Sequence, residues 1–120
     1  MSTTEQITRS REFEQATTRL QALKADLSVL LDEKEKIVRQ EDAAKELRDL
    51  TQHQPAYRNE HIDAVEALEH LRDLRSAVEK RIAVTKTLVE AAEARLNAFD
   101  VSEVELVNKI GRLSAQLPRR

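Results

Sequence analysis

Glycine occurs once in this 120-residue chain and proline twice, and cysteine and tryptophan are absent. Without cysteine there is no disulfide, no thiol nucleophile and no Cys-based metal site. With Gly111 as the only glycine, the phosphate-cradling GxxxxGK[ST] and GxGxxG loops and the G-x-S-x-G elbow are all missing. One Tyr and two Phe are all the aromatics, which excludes an ordinary β domain. Long apolar runs are lacking too. The longest, Leu27 to Leu31, is interrupted by Ser28, whereas a membrane span needs roughly 20 such residues. The opening MSTTEQITRSREFEQ has no basic segment leading into an apolar one, so no signal peptide is expected. The expected location is the cytoplasm or a soluble assembly, without membrane insertion.

Neither sign of charge dominates. Lys and Arg number 20 against 22 Asp and Glu, for a net charge of −2, and the two signs are interspersed. Only the last segment leans basic, through Lys109, Arg112, Arg119 and Arg120. No polybasic footprint forms, so nucleic acid is a disfavoured partner.

What the chain does contain is helix-forming residues. Ala, Glu, Lys, Leu and Arg fill 65 of the 120 positions, the composition of long helices and coiled coils. Phe13, Ala16, Leu20, Leu23, Leu27 and Leu30 alternate three and four apart, an a/d heptad seam. The register runs on through Lys34, Ile37, Glu41, Ala44, Arg48 and Thr51. The spacings of Ser2 with Glu5 and of Thr3 with Gln6 fit a capping box at its start. Glu5–Arg9, Asp32–Lys36, Glu35–Arg39 and Glu41–Lys45 place acid before base at i,i+4, as on a solvated helix face.

The pattern breaks at Thr51-Gln52-His53-Gln54-Pro55. Proline costs about 3 kcal/mol inside a helix but suits the first position of a new one. The spacing therefore predicts helix 1 over about 3–52, a turn over 51–56 and helix 2 over about 56–99. The second seam is Tyr57, His61, Ala64, Leu68, Leu71, Arg75, Val78, Ile82, Thr85, Val89, Ala92, Leu96 and Phe99. Its register continues through Glu103, Leu106, Ile110, Leu113 and Leu117, which favours one helix from about 56 to 117. Asp100 and the spacing of Ser102 with Glu105 point instead to a third helix over about 102–117.

Two long helices joined by a short break should fold back, giving an all-α antiparallel coiled-coil hairpin with a C-terminal helical extension, in one domain. If facing residue numbers sum to 112, Phe13 meets Phe99, Leu20 meets Ala92, Leu30 meets Ile82 and Ala44 meets Leu68. A sum of 105, pairing Phe13 with Ala92 and Ile37 with Leu68, is the lesser choice. The preferred register places Lys34, Glu41 and Arg75 mid-seam, where they must pair or reach water. The hairpin seam is thus Phe13, Leu20, Leu23, Leu27, Leu30 and Ile37 against Leu68, Leu71, Val78, Ile82, Val89, Leu96 and Phe99.

Leu31, Val38, Leu47, Leu50, Val65, Leu74 and Leu88 lie beside the seam and widen the apolar stripe beyond what two helices bury. The C-terminal Val104, Leu106, Val107, Ile110, Leu113 and Leu117 form the candidate partner interface. Polar and aromatic residues gather at the tip, where His53, Tyr57, Arg58 and His61 are candidate contacts.

Chemistry is not evident. His53, His61 and His70 include no i,i+4 pair, and Arg58 and Ala67 stand where Glu-x-x-His motifs need glutamate. No catalytic residue, metal site or cofactor is expected. The layout resembles hairpin stalk proteins of secretion systems and small helical virion components, at the level of fold alone. The expected function is a non-enzymatic structural or adaptor subunit that bridges or stabilises a larger protein assembly through coiled-coil contacts, such as a virion or a secretion apparatus. Its partner is expected to be protein, by self-association or by docking into a multi-protein complex. A helical chaperone or scaffold capping a partner's apolar helix is the first alternative, and a small DNA-binding regulator the second.

Overall fold

The computed structural model describes residues 3–99 and 101–116. They form α1 (Thr3–Thr51), a short 3-10 turn (Pro55–Tyr57), α2 (Arg58–Asn97) and α3 (Val101–Gln116). The two long helices pack against each other as an all-α helical hairpin, with no strand among the described residues. Ser2, of the first candidate capping pair, lies outside the described residues. An acid in the first turn (Glu5, Glu60) and a base in the last (Arg48, Arg95) complement the dipoles of α1 and α2.

The reversal follows from three residues. His53 takes a left-handed φ of 62°, which stops α1 as a glycine commonly does. Gln54 is extended, as a residue before proline must be. Pro55 then opens the new helical segment, where its missing N–H costs nothing. The Gln54 N–H bonds the Thr51 carbonyl at 3.2 Å, and the Tyr57 N–H bonds that of Gln54 at 3.0 Å.

The far end of α2 corrects the favoured reading of one helix from 56 to 117. The Ala98 N–H is shared between the Ala94 carbonyl (3.0 Å) and the Arg95 carbonyl (3.3 Å), and the Phe99 N–H reaches only back to Leu96 (3.2 Å). This tightening from i−4 to i−3 bonding closes α2 at Asn97. An unbroken heptad register does not prevent it, because side-chain period says nothing about a local change of backbone bonding. Ser102 also differs from the capping reading, for it lies inside α3 and not ahead of it.

Contacts divide the chain into two compact units, Met1–Lys24 with Thr87–Arg120, and Ala25–Lys86. In the first, the Phe13 and Phe99 rings meet edge to face, with centroids 5.4 Å apart. Ala16, Leu20 and Val89 are buried, while Leu23, Ala92 and Leu96 are half-buried. Lys24 and Glu93 pair across the margin at 3.6 Å, both largely exposed.

In the second unit, Leu30, Val78 and Ile82 form a buried cluster against which Leu27 and Ile37 pack. Ala44, Ala64 and Leu68 are buried and Leu71 is half-buried. The Thr85 hydroxyl donates to the Arg81 carbonyl at 2.8 Å, so a polar seam position is satisfied within its own helix. Phe13 with Phe99, Leu30 with Ile82 and Thr51 with His61 are each pairs whose numbers sum to 112, in whichever unit they fall.

Glu41 departs from the expected solvated pair with Lys45. Its side chain is 2% exposed, and the Arg75 Nε lies 3.0 Å from its Oε1. The contact is an ion pair without a well-directed hydrogen bond, because no donor is aimed at Oε1. Lys34, by contrast, reaches the edge and meets Glu79 at 3.6 Å.

Candidate partner-binding surfaces

At the tip, side chains expected to offer contacts have different fates. His53, Tyr57 and Arg58 are exposed, whereas His61 is half-buried against the end of α1. The His61 Nδ1 lies 3.1 Å from the Thr51 hydroxyl and 3.1 Å from the Arg48 carbonyl. A carbonyl oxygen only accepts, so this geometry assigns the proton to Nδ1. The Thr51 hydroxyl in turn donates to the Leu47 carbonyl at 2.7 Å. Arg48 is among the last four residues of α1, whose carbonyls run out of i+4 N–H donors, and apart from a longer 3.3 Å contact with the Thr51 hydroxyl its carbonyl relies on His61. His61 therefore caps α1 from the neighbouring helix, a structural duty that leaves three exposed residues for contact.

The flanking apolar residues divide in the same way. Val38 and Val65 are half-buried, and Leu31, Leu47, Leu50, Leu74 and Leu88 are exposed. Val29 and Val84 join the exposed group at 57% and 60%. Within unit 25–86, an open groove of about 550 Å³ runs between α1 and α2, lined by Val29, Leu30, Val84 and Thr85. Asp26 and Glu33 also line it from α1, and Lys80 and Arg81 from α2, all four exposed. The flanking list read from the sequence omits both valines. Their signal was there: each stands one residue before a seam position, where a solvated helix carries a polar residue, and 29 and 84 are within one residue of level in the 112 register.

Of the candidate interface on α3, Ile110 is half-buried and Leu113 is 53% exposed. Leu117 lies outside the described residues, and the side chains of Val104, Leu106 and Val107 are likewise not described. Glu105, Asn108, Lys109 and Arg112 are exposed.

Among the described residues, no three His, Asp or Glu side chains are grouped to hold a metal ion. No helix among them is long and apolar enough to cross a membrane. Comparison with protein-family models, curated proteins and solved structures found no match.

Proposed function

We propose that this chain is a non-enzymatic structural or adaptor subunit, which bridges or stabilises a larger protein assembly through helix-to-helix contacts. It works in the cytoplasm or within a soluble assembly. The observation that carries this reading is the set of large apolar side chains left in water on the hairpin, Val29, Leu47, Leu50, Leu74, Val84 and Leu88. Where such side chains gather along one groove, as Val29 and Val84 do, exposed apolar surface marks an interaction site. The α3 segment with Ile110 and Leu113 supplies a second contact in the same reading.

Mild crosslinking of the tagged chain in its source cells, followed by sizing, tests the proposal. The chain should be recovered in a complex larger than any self-oligomer. Ile110→Asp with Leu113→Asp should release it while helicity and melting temperature hold. A wild-type chain recovered only alone or as a self-oligomer would overturn the adaptor reading.

A further inference from the structure

We infer that the Val29/Val84 groove is an interface for a second copy of this chain, packed as an antiparallel four-helix bundle. The inference rests on the adaptor reading and names one partner within it. Val29 and Val84 stand 57% and 60% exposed in a groove that also reaches Leu30 of the buried Leu30/Val78/Ile82 cluster. A covering helix pair would extend that cluster outward.

What favours a second copy is the charge lining the groove. Asp26 and Glu33 line the α1 side, and Lys80 and Arg81 the α2 side. None of the four has an ion-pair partner among the described residues. The groove is thus acidic along one edge and basic along the other. Such a surface is complementary to itself under one kind of two-fold rotation.

If the axis runs parallel to the helices, α1 of the second copy lies over α2 of the first. Glu33 of the second copy then meets Lys80 and Arg81, Asp26 adds its charge from about 8 Å further along the axis, and Val29 of each copy meets Val84 of the other. In the 112 register 33 is level with 79 and 29 with 83, which sets Glu33 beside Lys80 and Val29 beside Val84 to within a residue. Every neighbouring helix is antiparallel in this arrangement. If the axis runs across the helices, acid stacks on acid and base on base. Like-charge contacts disfavour that alternative.

The absence of cysteine makes the test direct, because each added thiol is the only one in the full chain. Val29→Cys and Val84→Cys are prepared separately, then oxidised alone and as a mixture. The mixture should give a covalent dimer joining positions 29 and 84, several-fold more than either variant alone. Light scattering should show a concentration-dependent dimer for the wild type. Asp26→Lys with Glu33→Lys should raise its dissociation constant about tenfold or more. Adding Lys80→Glu and Arg81→Glu should restore dimerisation. All four sites are exposed, so circular dichroism should report an intact hairpin in every variant.

A wild type that stays monomeric overturns the pairing, as do 29–29 and 84–84 crosslinks in excess of 29–84, or a quadruple variant that fails to recover. A monomer that still enters a larger complex in cells removes the second copy and leaves the adaptor reading standing. A confirmed dimer found in no larger complex does the reverse.

Discussion

At the residue scale, the two positions that break a local rule are Glu41 and His53. Glu41 is a carboxylate at 2% exposure whose neutralising charge comes from Arg75, itself half-buried. Removing only the arginine leaves a buried anion without compensation. Arg75→Met should therefore destabilise by about 1–3 kcal/mol, at the low end because water reaches the guanidinium. The double variant Glu41→Leu with Arg75→Met should recover the loss or exceed wild type, since an apolar layer carries no desolvation penalty. Urea midpoints of the three proteins check both statements. His53 holds a φ of 62° that costs an L-residue about 1–2 kcal/mol. His53→Gly removes that strain and adds about 0.5–1 kcal/mol of chain entropy, so it should leave stability unchanged or slightly raised. His53→Val should lower the melting temperature, because a β-branched residue is poorly tolerated there.

At the element scale, packing and propensity divide the work. Leu30 sits in the buried cluster with Val78 and Ile82, and Leu50 lies in water. Leu30→Ala should cost about 2–3 kcal/mol, near the low end for a leucine because two helices enclose it incompletely. Leu50→Ala should stay within about 0.5 kcal/mol in the isolated chain. In α3, a methyl added at Gly111 meets nothing within 4 Å. Gly111→Ala should raise helicity, with a gain of up to ~1 kcal/mol visible by circular dichroism. The all-α hairpin was legible in the sequence because the three-four spacing of Leu20, Leu23, Leu27 and Leu30, and then of Val78, Ile82 and Thr85, admits only helix. The Pro55 break then admits only a reversal or a kink. The end of α2 was legible only in part: Asp100 and the spacing of Ser102 with Glu105 marked the restart, but a heptad counts side chains and gave no sign of the change in backbone bonding at Ala98 and Phe99. Glu41 carried two readings, and the mid-seam one is what the contact with Arg75 matches. Its i,i+4 spacing to Lys45 and its seam position make competing claims on one side chain, and spacing alone does not rank them. The groove needed both arms at once, since Val29 reads as a stray surface valine until Val84 stands across from it.

At the scale of the whole molecule, a hairpin with facing numbers that sum to 112 ties sequence distance to distance from the tip. Thr51 and His61 meet 10 residues apart, while 86 residues separate Phe13 from Phe99 (99 − 13). Closing the short loop costs the least entropy, and each further layer then extends a zipper already begun. Folding should start at the Thr51/His61 end and finish at the phenylalanines. Leu68→Ala, near the tip, should slow refolding in stopped-flow experiments. Phe13→Leu should leave the refolding rate nearly unchanged and speed unfolding. Equal effects on both limbs for both variants would rule out the ordered path. The histidine cap on α1 thus joins the first contact to form, so the place where the chain reverses is also where its folding has its clock.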